Sequence, residues 1–248
     1  EHDYLDIFNQ QSITKSLLEM DYPNYLFFQF VSNYHGSKDP PDGSEVIKLL
    51  ITLSNGNGSA AALAGYPEID KIFQEFVVAL MSKKIRDTNG DLITEYNPTI
   101  TDIEEIDNTR EEESFSAEPF VAARYLLLYE QEKRFFQVLG NFGEGKHSAV
   151  KKEESQNLAA WSSIPPEIRS TCENFLPYYL VVTTTEADQE FTQLISLEKV
   201  EEASCDPCLL GTWEIDNQSY QEFIKRSAES QGSSADLPVG SEFTVEIS

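Results

Sequence analysis

The apolar residues of this chain change period once, and that change limits the folds open to it. Up to Lys84, hydrophobic side chains recur every three or four residues. From Phe115 onward they gather in short runs rich in Phe, Tyr, Val and Thr. The first spacing is that of helices and the second that of strands. Helices followed by strands, without regular alternation, point to an α+β chain or to separate domains, not to a doubly wound sheet. The expected fold class is α+β and multidomain. A helical subdomain spans 1–86, a turn and acidic connector 87–114, an antiparallel β-sandwich 115–203, and a short third segment 204–248.

The helical part has three recognisable pieces. Tyr22 to Val31 is apolar nearly all round, which fits a helix buried on most sides. Asp21 is its expected N-cap with Pro23 just inside, and His35-Gly36 its expected end. Val46, Ile47, Leu49, Leu50 and Leu53 then trace a second helix, stopped by Asn55-Gly56-Asn57-Gly58. The clearest amphipathic helix follows Tyr66-Pro67, with Ile69, Ile72, Phe73, Phe76, Val77 and Leu80 on one face. Glu68 and Asp70 stand at its start and Lys83, Lys84 and Arg86 at its end, each on the side the helix dipole favours.

Asp87 to Asp91 reads as a turn. Between Thr101 and Ser114 seven acidic residues accompany one Arg, with only Ile103 and Ile106 to bury. Such a stretch is expected to be a connector or a solvated edge, and it marks the domain boundary. Phe120–Tyr129 and Arg134–Phe142 are β-prone, and Pro165-Pro166 forces a turn. Tyr178–Thr185 and Phe191–Val200, joined by Glu186-Ala187-Asp188, are expected to form a hairpin. Strands are also expected at Leu209–Ile215 and Glu242–Ile247, with a helix over Asn217–Ser227 between them.

Lys plus Arg number 18 against 43 Asp plus Glu, a net charge of −25. A surface that negative repels phosphate backbones and anionic headgroups, so nucleic acid is excluded as a partner. No apolar run reaches the length needed to span a bilayer. Three cysteines (Cys172, Cys205 and Cys208) imply no disulfide framework, and their pairing stays open.

Catalytic constellations are sparse. His2, His35 and His147 lie far apart, so the helical zinc motif with two imidazoles one turn apart does not occur. His35, at a helix end, is expected to serve the dipole. Asp87, Asn89 and Asp91 have the spacing that opens a calcium loop, with Glu95 as a fourth oxygen donor. Leu92 and Pro98, however, stand where such a loop needs glycine and a bidentate Glu. A plain Asn89-Gly90 turn is the competing reading. Cys205-x-x-Cys208 has no second pair to complete a zinc site and runs into a strand, which argues against a redox motif. No Gly-x-Ser-x-Gly elbow is present. The residues thus assign this chain no catalytic or cofactor-binding group.

Several segments nevertheless resemble a known family. Tyr4-Leu5-Asp6-Ile7-Phe8, Ser16-Leu17, Tyr22 with Leu26-Phe27-Phe28, and Tyr34-His35-Gly36 resemble the region downstream of the active site in secreted bacterial gluzincin-type zinc peptidases. Pro67–Lys84, with the stripe Ile72-Phe73-Gln74-Glu75-Phe76, resembles the helix that closes their catalytic domain. None of that family's zinc ligands, nor its catalytic Glu, has a matching position here. The β segment resembles the sandwich that often follows such domains. Gly211-Thr212-Trp213, on its apolar approach, resembles the first strand of a lipocalin-like barrel. Too few residues follow for about eight strands, so a partial barrel start cut from a longer polypeptide is expected.

What the resemblance implies is a large extracellular or cell-surface bacterial protein that holds zinc outside these residues. Two roles follow from it. In one, the chain is the non-catalytic C-terminal part of a peptidase-like protein, giving structural support and an interaction surface. In the other, it is a surface interaction or ligand-binding module with a protein or envelope partner and no peptidase ancestry. A His-Glu-x-x-His upstream of Glu1 separates them.

Overall fold

The structure, a computed structural model, describes residues 2–35, 42–106, 111–129, 134–139, 143–152, 161–162, 167–169, 176–199, 211–214 and 244–247. Among the described residues five α-helices come first: α1 (His2–Gln11), α2 (Tyr25–Tyr34), α3 (Ser44–Asn55), α4 (Ala60–Ala64) and α5 (Ile69–Met81). Ten strands follow: β1 (Asp102–Ile106), β2 (Glu112–Ala117), β3 (Ala123–Tyr129), β4 (Arg134–Leu139), β5 (Lys146–Lys152), β6 (Glu167–Arg169), β7 (Leu176–Thr184), β8 (Phe191–Lys199), β9 (Gly211–Glu214) and β10 (Thr244–Ile247). The chain is α+β, as its two periods require.

Helix α5 is the axis of the helical part. Ile69, Ile72, Phe73, Phe76, Val77 and Leu80 are all buried, as the stripe demands. The Phe76 ring meets those of Phe8, Phe27 and Phe30 at centroid distances of 5.3, 5.4 and 5.4 Å. The helix ends without a glycine. Lys83 takes φ +53°, while the Lys84 N–H donates to the Ala79 carbonyl and the Lys83 N–H to that of Leu80. This is the Schellman arrangement, which satisfies carbonyls the last turn would otherwise orphan. The entry to α2 departs from expectation. Asp21 makes no side-chain cap bond, and Tyr22–Asn24 form a 3₁₀ turn before the α-helix begins at Tyr25.

Two four-stranded sheets, ordered β1-β3-β7-β5 and β2-β8-β4-β6, face each other. Between them lie Ile106, Tyr125, Leu127, Leu180 and Val182 from the first sheet, and Phe115, Val138, Phe191, Ile195 and Leu197 from the second. The first sheet is covered on its other face as well. Val181 and Ala149 belong to the core of the helical part, with α5 lying across β7 and β5. Double coverage explains why Tyr178–Val182 is a continuous apolar run. The sequence of β8 alternates instead, with Phe191, Gln193 and Ile195 buried and Thr192 and Leu194 exposed.

The expected hairpin of Tyr178–Thr185 and Phe191–Val200 is not formed. β7 pairs with β3 and β5, whereas β8 pairs with β2 and β4, so the chain crosses from one sheet to the other at Glu186–Asp188. Pattern alone cannot tell this crossing from a hairpin, because both need a short polar turn between two strands. The acidic stretch at 101–114 contributes β1 and β2, one edge strand of each sheet. Charge on an edge discourages pairing with other chains. β1 runs parallel to β3, with Glu104 opposite Leu127. β9 and β10 form a separate two-stranded ribbon, with Trp213 opposite Val245. Among the described residues there is no closed barrel. The helix expected at Asn217–Ser227, the three cysteines and Gly36 lie outside the described residues.

Helical and sandwich parts are joined by polar contacts as well as by packing. Phe120 sits at φ +57°, a backbone region costly for a bulky residue, and both neighbours use its backbone. Its N–H donates to the Thr184 carbonyl and its carbonyl accepts from Leu17. Its ring meets Phe73 at 5.6 Å. Beside it Arg124, 0 % exposed, reaches into the end of α1. Its guanidinium donates to Asn9 Oδ1 at 2.9 Å, to the Asn9 carbonyl at 2.7 Å and to Ser12 Oγ at 3.0 Å. The Asn9 carbonyl belongs to the last turn of α1, so the cation caps the negative end of a helix dipole. Burial pulls the guanidinium down to about 9, and it stays charged at neutral pH.

Candidate functional site around helix α5

The chemistry-bearing side chains gather on the solvent side of α5 and at its two ends. His35 leaves the end of α2 in an extended conformation, at φ −119° and ψ 135°. Its Nε2 lies 3.3 Å from Glu75 Oε2 on α5, which makes a carboxylate, rather than its own helix dipole, its charged neighbour. The neighbouring His35 imidazole, more than any other influence, holds the Glu75 carboxyl below its usual range. His147, on β5, places Nε2 2.7 Å from Asp70 Oδ2 in the first turn of α5. Burial acts most strongly on Asp70 and pushes it up. Hydrogen bonds from His147 and from the Lys71 and Gly145 backbones outweigh burial and leave the carboxyl lowered. Asp70 and Glu75 are therefore ionised at neutral pH, each facing a different imidazole. The structure does not bring His35 and His147 together, and the side chain of His2 is outside the described residues.

The Asp87–Asp91 segment forms the tight turn. Arg86 and Leu92 pair across it, and Asp87 Oδ1 accepts the backbone N–H groups of Asn89 and Asp91, each at 2.8 Å. Those bonds, the Asp91 one foremost, lower the Asp87 carboxyl. Arg86 is drawn away from α5, its Nη1 donating to the Gly90 carbonyl and its Nε to Tyr34 Oη. Asn89, Asp91 and Glu95 are all exposed. Among the described residues, no three His, Cys, Asp or Glu side chains lie close enough together to hold a metal ion.

Among the described residues, three cavities lie against α5. The larger-volume one of these, about 640 Å³, lies towards α3 and is lined by residues that include His35, Glu45, Lys48, Tyr66, Glu68 and Ile72. In it Glu45 is occupied by Lys48 and by the Tyr66 hydroxyl, which donates at 2.7 Å. Burial, above all, pushes that phenol up to about 12, so it remains a donor. A second cavity, about 390 Å³, lies against β5 and includes Lys71, Gln74, Glu75, His147 and Trp161. The Trp161 indole N–H is committed to Ser82 Oγ at 2.8 Å. The third, about 310 Å³, opens where the start of α5 meets the loops before β5 and after β7. It has four carboxylates, Glu68, Asp70, Glu144 and Glu186. The sequence pattern marks Asp70 and Glu68 only as helix-start charges, Glu75 only as part of the stripe of the closing helix and Glu186 only as part of a turn, and it does not single out Glu144. Their partners lie tens of residues away, and in so acidic a chain no local pattern singles them out.

No protein-family model and no curated protein matches this chain. Among solved structures it has a likeness to the pre-peptidase C-terminal domain of collagenase from Bacillus anthracis. That likeness covers 42 % of this chain and 100 % of that domain at 16 % identity, with a TM-score of 0.25. At that score the superposition carries no argument about function.

Proposed function

We propose that this chain is a non-catalytic C-terminal part of an extracellular peptidase-like protein, serving as a structural support and an interaction surface. The observation that carries the reading is the shared core. The first sheet is buried between the second sheet and α5, so the sandwich braces the helical part. Of the residues that resemble gluzincin-type peptidases, Leu5, Phe8, Leu26, Phe27, Phe73 and Phe76 are buried in that braced part, while Tyr4, Ile7, Tyr22 and Tyr34 are exposed. Their role is to hold shape. Hydrolysis by that class needs a metal-held water and a base. Here His35 and His147 are each engaged by a separate carboxylate of α5.

Two measurements test the proposal. Purified chain incubated with zinc and a broad peptide mixture is expected to show no chelator-sensitive turnover, and such turnover would refute the non-catalytic role. The parent reading frame is expected to carry His-Glu-x-x-His upstream. Its absence would remove the peptidase ancestry and leave the second reading, a surface ligand-binding module, which the cavities around α5 favour.

A further inference from the structure

We propose that the cavity of about 390 Å³ between α5 and β5 binds a neutral sugar ring, free or as one unit of a glycan. The inference does not depend on peptidase ancestry. Lys71, Gln74, Glu75 and Val78 border this space and stand at i, i+3, i+4 and i+7, which is one face of α5. His147 and Ala149, two residues apart, bring one face of β5 to it, and Trp161 adds an aromatic wall.

A buried amide is the observation that points to a ligand. Gln74 is only 6 % exposed and lines this cavity, yet its Nε2 has no hydrogen-bond partner among the described residues. A buried polar group without a partner costs free energy unless a ligand or water supplies one. Leucine, of nearly the same shape, would avoid that cost, so packing alone gives no account of Gln at this position. A hydroxyl placed in the cavity meets the amide from either end, accepting from its nitrogen or donating to its oxygen.

The rest of the lining selects the class of ligand. Lys71 offsets Glu75 at 3.9 Å and His147 faces Asp70 at 2.7 Å, so each carboxylate has a basic neighbour. In a chain of net charge −25, that local balance favours neither a cation nor an anion. Donors and acceptors stand together instead: Gln74 and Lys71 donate, and Glu75 accepts. Neighbouring sugar hydroxyls answer both, since each can donate and accept. Trp161, its indole N–H committed to Ser82 Oγ, offers an aromatic surface to the C–H face of a ring, beside Val78 and Ala149. The volume lies low in the range of small-molecule sites, roughly 300–1,000 Å³, and suits a single ring.

The test is a titration of the ¹⁵N-labelled full chain with the methyl glycosides of glucose, galactose, mannose and N-acetylglucosamine, and with cellobiose and chitobiose. Saturable shifts of the Gln74 side-chain amide and the Trp161 indole N–H are expected with at least one of them. Tighter binding of a disaccharide would mark a glycan unit and equal binding a free sugar, and both support the proposal. Gln74→Leu and Glu75→Gln should each weaken that binding roughly tenfold, the loss of one hydrogen bond. The urea midpoint of free Gln74→Leu should stay level or rise, because no bond to Nε2 is broken. No saturable shift with any of these sugars would overturn the proposal. So would unchanged affinity in both variants, or tighter binding of acetate or methylammonium than of any sugar. A fall in the Gln74→Leu midpoint would also overturn it, by showing that the amide serves packing.

Discussion

Replacing Arg124 with Ala tests how the two parts are joined. The substitution removes three hydrogen bonds from a charged donor, to Asn9 Oδ1, the Asn9 carbonyl and Ser12 Oγ. Bonds to charged groups contribute about 1.5–3 kcal/mol each. Against that loss stands relief, because a cation is no longer buried without a carboxylate, and such burial costs several kcal/mol. The truncated side chain also leaves a void, and the Asn9 carbonyl at the end of α1 loses its cap. The balance of these opposing effects is a loss of about 3–5 kcal/mol. Asn9→Ala should cost a similar amount, since Asn9 also accepts the Thr99 N–H and donates to the Asn97 carbonyl. The double variant should then show a coupling of about 1–3 kcal/mol instead of additive losses. Urea unfolding followed by circular dichroism and tryptophan fluorescence measures all three. A loss below about 1 kcal/mol for Arg124→Ala, or additivity in the cycle, would refute the reasoning, because typical surface changes lie within that range.

Phe76→Ala should cost about 3–5 kcal/mol, near the upper end because the ring meets those of Phe8, Phe27, Phe30 and Phe73 edge-on or tilted; urea midpoints check it. Asp70 and Glu75 have lowered carboxyl pKa values, so below their unfolded values the unfolded state binds more protons than the native one. The stability they contribute is present above about pH 4 and is lost as pH falls through their native values. Asp70→Asn should flatten this acid slope of the urea midpoint, and an unchanged slope would contradict the assignment. The β9–β10 ribbon, a two-stranded pair, should exchange its amides well before those of Phe73–Leu80, read by mass spectrometry. Equal protection would show that Trp213 belongs to a complete small domain.

The course of α5 and the existence of most strands follow from local pattern. The spacing from Ile69 to Leu80 leaves one buried face possible, and the β-branched and aromatic runs leave little alternative to strands. The alternation in β8 likewise reports one wet face before any neighbour is known. What the sequence could not determine is which strands pair, because pairing is a relation between distant residues. β7 and β8, adjacent in the chain, went to different sheets since Val181 had to meet α5 while Ile195 had to meet the opposite sheet. The acidic stretch became two sheet edges because an edge strand buries little and tolerates charge. The candidate site was hidden for the same reason. Asp70 and His147, or Glu68 and Thr185, become neighbours only when α5 lies across β5 and β7.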